Sequence, residues 1–351
     1  MDTAHLRQRV EAALADFLDR QRTRLRAVDS VTEPVAEAVA AFVLGGGKRL
    51  RPAFAYWGYR GAGGADSDQV VATVAALELL QAAALIHDDV LDGAETRRGE
   101  PAVHRRFAAH HRAARWRGDP DAFGTAAAIL LGDLCLVWSD ELLHSGGLSP
   151  PVLARARPVF DEMRTEVTIG QYLDMLAQVE GEPSVERASL VARFKSAKYT
   201  VERPLLLGAA LADAAAPVAE AYSRFGLPLG EAFQLRDDVL GVFGDPGHTG
   251  KPAGGDLREG KRTYLVAAAF AAADPAAAKV LAEGLGNPDL DDAGVARLRE
   301  VIVATGALAR TEQRITTLTE TALAALAAGP VEPQAAKVLT DLATAATSRN
   351  R

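Results

Sequence analysis

Three carboxylates, Asp88, Asp89 and Asp92, close an apolar run that begins at Leu79, and Arg97 and Arg98 follow just behind. Asp88 and Asp92 stand four residues apart, so on a helix they share a face, where like charges repel. A helix kept for packing alone gains nothing from that arrangement, which points to a cation. Oxygen-only donors suit Mg²⁺, a hard ion that takes one or two carboxylates together with waters and substrate phosphates.

The segment QLRDDVLG at 234–241 echoes LIHDDVLD at 85–92. Asp237 and Asp238 again end an apolar run, where negative charge opposes the partial charge of a helix C-terminus. Two such pairs facing one another across a helical cavity would hold divalent ions, and those ions would bind a diphosphate. Basic residues supply the other half of such a site. Lys48 and Arg51 follow Gly45-Gly46-Gly47, and Lys195, Lys198, Lys251, Lys261 and Arg262 come later. Arginine forks and lysine point charges bind diphosphate oxygens. Arg105, Arg106, Arg112, Arg115 and Arg117 read as solvated surface, His87 as a structural hydrogen bonder, and Cys135, inside ILLGDLCLVW, as a buried inert thiol. No GxxxxGK[ST], strand-linked GxGxxG or GxSxG motif is present.

Helices must position these groups. Ala and Leu dominate, apolar residues recur with helical period, and no convincing alternating strand appears, so the chain reads as all-α. Helices are expected over 4–28, 31–44, 52–60, 68–92, 101–114, 121–145, 150–178, 184–212, 215–243, 261–284, 289–302, 304–327 and 331–347. None of the breaker segments between them resembles a flexible linker, so residues 1–351 read as one domain. A net charge of -7 argues against a nonspecific nucleic-acid binder. One cysteine excludes an internal disulfide and fits a reducing compartment. With no signal-peptide pattern and no run of the ~18 apolar residues needed to span a bilayer, a soluble cytoplasmic protein is expected.

Together the motifs resemble the trans-isoprenyl diphosphate synthases, or polyprenyl synthetases, and most of all bacterial geranylgeranyl diphosphate synthases. The matches are GGGKRLRP at 45–52, LIHDDVLD at 85–92, TRRGEPAVH at 96–104, LLGD at 130–133, GQYLD at 170–174, FKSAKYT at 194–200, FQLRDDVLG at 233–241 and GKPAGGDLREGKRTY at 250–264. The resemblance implies an isoprenoid-synthase helical bundle around a central cavity, a homodimer, and Mg²⁺, three ions when substrate is bound. It implies that Asp88 and Asp92 are principal metal ligands with Asp89 supporting, and Asp237 the main second ligand with Asp238 supporting. It assigns Arg97, Lys195 and Lys251 to the allylic diphosphate. Lys48, Arg51 and Arg98 fall to isopentenyl diphosphate, with Gln81 nearby. Lys261 would close over the site, while Gln171, Asp174 and Gln234 line it. Ser196 stands where the family often has Thr. Gly241 departs from the common DDxxD pattern, and Asp245 is the nearest replacement in sequence.

The implied reaction is a head-to-tail 1'-4 condensation. The residues one and two turns before Asp88 bear on product length, because the growing tail descends along that helix. Ala84 and Ala83 lie four and five residues upstream, and Leu80 lies eight. Aromatic side chains at the first two positions resemble a floor that stops synthesis at C15, and two alanines leave it open. Leu80, or a residue such as Phe123 on a neighbouring helix, would then set the depth, which favours C20 over farnesyl or C25–C35 products. A class I terpene cyclase would need an NSE-type second metal motif, absent near 234–245. A noncatalytic subunit of a heteromeric synthase should have lost aspartates or clamp residues, and this chain keeps them.

Overall fold

The computed structural model describes residues 3–244, 254–287 and 289–348. Lys251 and Asp245 lie outside them, as does most of the segment between Gly244 and Gly260. The chain divides into two compact units, Met1–Tyr56 with Gly64–Arg155, and Trp57–Gly63 with Ala156–Arg351.

In the first unit α1 (Thr3–Val28), a 3₁₀ turn (Ser30–Thr32), α2 (Glu33–Leu44) and the start of α3 (Leu50–Gly61) precede the long α4 (Asp68–Leu91). Ser67 caps α4 by accepting from the Val70 N–H, and fourteen of its residues are buried. Two-residue strands β1 (Thr96–Arg97) and β2 (Glu100–Pro101) pair antiparallel, followed by α5 (Val103–Ala114) and α6 (Pro120–Ser145). Arg98 and Gly99 join the strands with φ of 56° and 81°. Two positive-φ residues between paired strands make the turn whose twist matches a hairpin. So short a ladder leaves no alternation to read, which is why the sequence pointed to helices alone.

Two glycines set the register of α6 on α4. A Cβ at Gly132 would meet the His87 ring, and one at Gly146 would meet Thr73. The helices therefore run antiparallel and closely packed.

In the second unit α7 (Pro150–Val179) and α8 (Val185–Val191) lead into a π-helical segment, Ala192–Glu202, which continues as α9 (Arg203–Leu211). One uninterrupted α-helix was expected across 184–212. The wider turn occurs where neighbouring backbones press in. A Cβ at Gly170 of α7 would lie 2.3 Å from Lys195 N. One at Gly230, on α10 (Ala216–Phe243), would lie 2.5 Å from Ala197 Cα. π-Helical turns within α-helices are frequent at functional sites.

The rest comprises α11 (Gly255–Arg258), α12 (Tyr264–Ala272), α13 (Pro275–Gly284), α14 (Asp292–Ala304), α15 (Ala307–Ala328) and α16 (Pro333–Thr347). The helix expected over 261–284 is two, because Asp274 caps Ala277 at 2.8 Å and Pro275 starts afresh. Leu235, Val239 and Val242 of α10 pack with Leu257, Val295, Leu298 and Ile315 in this unit's core.

The all-α expectation is borne out. The expectation that no run is long enough to span a bilayer is corrected: α4 and α6 each contain an 18-residue window of sufficient apolarity. That of α4 is 72% buried within the protein, as in a core helix, and that of α6 is 39% buried.

Candidate active site

The structure gathers the selected residues into two sets, one in each unit. In the first unit Asp88 and Asp89 occupy the last turn of α4, and Asp92 is its C-cap, its N–H bonded to Asp88 O at 2.8 Å. Asp89 is fully buried, and the β1–β2 hairpin swings Arg97 back onto it. Arg97 Nε donates to Asp89 Oδ1 at 2.7 Å, and its Nη2 reaches Asp89 Oδ1 and, at 3.3 Å, Asp88 Oδ2. Burial pushes the Asp89 carboxyl up, and the Arg97 guanidinium opposes that shift. Asp89 Oδ2 is buried and accepts no hydrogen bond. Asp88 and Asp92 are half-buried and so reach solvent that Asp89 does not.

Basic groups crowd the same end. Arg98 Nη1 donates to Gly46 O at 3.2 Å and to Phe42 O at 3.5 Å, with its guanidinium 5.8 Å from the Phe42 ring centroid. Burial lowers the Arg98 pKa; the Glu78 charge opposes this, while Arg49, Arg97 and Arg51 add to it. Gly46 and Gly47, with φ of 103° and 119°, turn the chain so that Lys48 is exposed and Arg51 stands half-buried in the first turn of α3.

Sequence reasoning passed over Arg49. It is 4% exposed with φ of 52°, donating from Nη1 to Glu78 Oε2 at 2.7 Å and from Nη2 to Val43 O at 2.8 Å. The signal was the lone Glu78 inside the apolar face of α4, since a buried carboxylate needs a partner.

On α4 the half-exposed positions Gln81, Ala84, Leu85 and Asp88 form one stripe with helical spacing. Ala84 therefore shares the open face of Asp88, whereas Leu80 and Ala83 are each 3% exposed. From the register of Gly132 on His87 and Gly146 on Thr73, Ala84 lies level with Cys135 and Leu80 with Ser139. Phe123 lies beyond the aspartate end, stacked edge-on against Trp116 with centroids 5.4 Å apart. It cannot form a floor below Ala84, which corrects the alternative raised from sequence. His87 Nε2 sits 3.1 Å from Ile129 O, and burial pushes the Cys135 thiol up to about 12. Both are structural, as expected.

In the second unit the π-helical turn presents Lys195 and Ser196. Lys195 Nζ donates to Asp174 Oδ2 on α7 at 2.7 Å, one turn beyond Gly170 and Gln171. Lys198 and Arg203 converge on Glu166 of α7. Near the end of α10, Asp238 is buried and accepts from Gln234 Nε2 at 2.7 Å, with Asp237 beside it half-buried. Burial pushes the Asp238 carboxyl up to about 7, and the charges of Asp256 and Asp237 add to the shift. Lys261 Nζ lies 2.8 Å from Glu259 Oε2.

Among the described residues no three His, Cys, Asp or Glu side chains are already grouped to hold a metal. That suits Mg²⁺, which seldom uses an all-protein cage and completes its shell with substrate phosphates. The donors present are carboxylate oxygens. In the first unit two carboxylates, Asp88 and Asp89, share one guanidinium, and the orphaned Oδ2 of Asp89 adds an unmet demand for positive charge. The residues fit the ion.

Comparison with known families agrees with this geometry: residues 32–302 match the polyprenyl synthetase family. The chain belongs to that family. Membership makes it a trans-prenyltransferase, and its all-helical fold is that of the isoprenyl synthases. It is similar to the geranylgeranyl diphosphate synthase of Mycobacterium tuberculosis, 35% identical over 73% of this chain and 71% of that protein. It is also similar to the geranylfarnesyl diphosphate synthase of Aeropyrum pernix, 31% identical over 85% and 88%. Among solved structures, geranylgeranyl pyrophosphate synthase from Corynebacterium glutamicum, complexed with isoprenyl diphosphate and magnesium, is 43% identical. It superposes with a TM-score of 0.97 over 100% of both chains.

Proposed function

We propose that this synthase, working as a single domain over 1–351, condenses isopentenyl diphosphate head-to-tail with allylic diphosphates and releases geranylgeranyl diphosphate. The observation that carries the reading is the crowding of guanidinium groups, Arg49 and Arg98 both within 4 Å of where a Gly47 Cβ would lie, beside the partly exposed carboxylates of Asp88 and Asp92. An anion neutralises the first, a cation the second, and a metal diphosphate supplies both.

In this reading Asp88, Asp92 and Asp237 hold Mg²⁺, three ions with substrate bound, and Asp89 and Asp238 support them. When bound, Mg²⁺ offsets the negative charge that develops on the leaving diphosphate. Arg97, Lys195 and Lys251 grip the allylic diphosphate and stabilise it as the C–O bond breaks. Lys48, Arg51 and Arg98, with Gln81, hold isopentenyl diphosphate so that its C3–C4 double bond meets the allylic carbon. Lys261 closes the site against water. Gln171, Asp174 and Gln234 steady Lys195 and the carboxylates, and Ser196 offers a hydroxyl beside them. A proton then leaves C2 to the released diphosphate.

Ala84 and Ala83 set no aromatic floor, and Leu80 bounds the tail at C20. The relative named for geranylfarnesyl diphosphate favours C25 as a second reading. The enzyme acts in the cytoplasm as a homodimer. Support for the dimer comes from α6, where Ile129, Leu130 and Val137 stand 44%, 66% and 61% exposed.

Purified protein with Mg²⁺, isopentenyl diphosphate and each of dimethylallyl, geranyl and farnesyl diphosphate should yield a C20 product by mass spectrometry. No condensation with any of the three would refute the reading.

A further inference from the structure

The arginines of the α5–α6 corner take no part in the site, and their charge is concentrated far beyond that of an ordinary solvated face. Residues 101–118 carry five arginines and no acidic residue, in a chain of net charge -7. Arg105 and Arg112 pair with Asp121, and Arg105 also with Glu95. Arg106, Arg115 and Arg117 are exposed and form no ion pair among the described residues. Arg106, His110 and Ala113 follow one another at helical spacing along the exposed side of α5, and that stripe runs into Trp116.

Trp116 is 49% exposed and yet firmly held. Arg115, with φ of 52°, ends α5 and turns the chain out of the helix line. The Trp116 N–H then donates to His111 O at 3.3 Å, and His111 Nε2 sits 3.1 Å from Arg117 O. The indole packs edge-on against His110, His111 and Phe123, with centroids 5.1, 5.8 and 5.4 Å apart. Phe123 is itself 37% exposed. A Cβ at Gly124 would lie 2.1 Å from His104 O, so α5 and α6 meet without room to shift. An apolar tip held this way loses little freedom when it meets a partner.

We propose that the α5–α6 corner docks the enzyme on an anionic lipid surface. Trp116 and Phe123 enter the headgroup layer, and Arg106, Arg115 and Arg117 bind lipid phosphates. Guanidinium forks match phosphate oxygens, and each basic side chain near such a surface strengthens binding about fivefold. Tryptophan favours the depth at which headgroups meet acyl chains, because its ring is apolar and its N–H is not. An exposed apolar tip ringed by cations suits a bilayer better than a nucleic acid, which offers charge but no apolar layer to receive it. The corner lies beyond the aspartate end of α4, away from the path of the tail, so docking leaves that path free. The product of a prenyltransferase is an amphiphile, and docking puts its release beside the bilayer that accepts the tail.

The test uses the purified protein and vesicles of phosphatidylcholine with or without phosphatidylglycerol, read without substrate. Trp57 and Trp138 are 1% and 5% exposed, so a blue shift of tryptophan emission on docking reports Trp116. Vesicles containing phosphatidylglycerol should carry the protein down on sedimentation and shift its emission, and high salt should reverse both. Pure phosphatidylcholine should do neither. Arg106→Gln/Arg115→Gln/Arg117→Gln should weaken binding by about 100-fold, the product of three such contributions. Trp116→Phe, which keeps a ring in the aromatic cluster, should still sediment while losing the emission shift. Both variants should melt with the wild type. A wild type that stays in solution with phosphatidylglycerol vesicles would overturn the inference, as would equal binding by the arginine variant. Sedimentation without an emission shift would put the contact elsewhere and overturn it too. Capture by an RNA homopolymer but not by vesicles would replace the lipid with a nucleic acid.

Discussion

Arg49 Nη1 donates to Glu78 Oε2 at 2.7 Å, and the two side chains are only 3% and 7% exposed. Glu78 lies on the helix that carries Asp88, and Arg49 lies in the glycine turn that carries Lys48 and Arg51. The ion pair therefore couples the placement of the basic turn to the aspartate helix. Removing one partner of a buried pair leaves an uncompensated charge, at a cost of about 3–5 kcal/mol. Glu78→Ala should lose stability of that order in urea unfolding and raise KM for isopentenyl diphosphate more than for the allylic substrate. Arg49→Met/Glu78→Leu should recover most of the stability but not the KM. Equal effects on both substrates would show that the pair serves packing alone.

Asp88→Asn should lower kcat by about 100- to 1000-fold, as expected for one lost preorganised electrostatic contact. The melting temperature of the metal-free protein should not fall, because Asp88, Asp89 and Asp92 repel one another. Excess EDTA should abolish turnover, and added Mg²⁺ restore it. Activity that survives EDTA, followed by product formation, would contradict the metal role.

Ala84 shares the open stripe of α4 with Asp88, so Ala84→Phe should shorten the product toward C15 by mass spectrometry. Phe123→Ala should leave product length unchanged, because Phe123 lies beyond the aspartates, away from the tail. Ser139→Phe, level with Leu80, should also shorten it. A C20 product from Ala84→Phe would exclude the stripe as the tail's path.

Glu166 gathers Lys198, inside the π-helical segment, and Arg203, which caps it. Burial alone would raise its carboxyl, but hydrogen bonds and charges from Arg203 and Lys198 outweigh it and hold the pKa below the usual 4.5. A lowered carboxyl stabilises the fold fully above the unfolded value and loses that contribution as pH falls through the folded one. Thermal stability should therefore decline below about pH 4.5, and Glu166→Gln should show a shallower decline with a lower plateau at neutral pH. Parallel profiles for the two proteins would remove Glu166 from the acid transition.

The sequence alone determined the fold class, nearly every helix and the chemistry. Apolar period, caps and breakers are local, and carboxylates set four apart with arginines behind them cost energy unless a charged ligand repays it. Asp88, Asp92 and Arg98 stood out in the sequence for that reason, and Asp237 because its segment echoes theirs. Other features depend on which backbones touch. The π-helical turn at Lys195 exists because Gly170 and Gly230 let neighbouring helices press against it, and nothing within 184–212 announces it. Arg49 reads like its basic neighbours until Glu78, 29 residues away, is seen to bury it. Phe123 looked able to close a cavity until the antiparallel register of α6 on α4 put it at the opposite end. Asp256 sits 15 residues beyond Gly241 in the chain and in contact with it in space. A short-range pattern records what one residue's own turn must do. Tertiary packing decides which distant side chain takes the space a glycine leaves, because that choice rests on contacts between elements that no local spacing encodes.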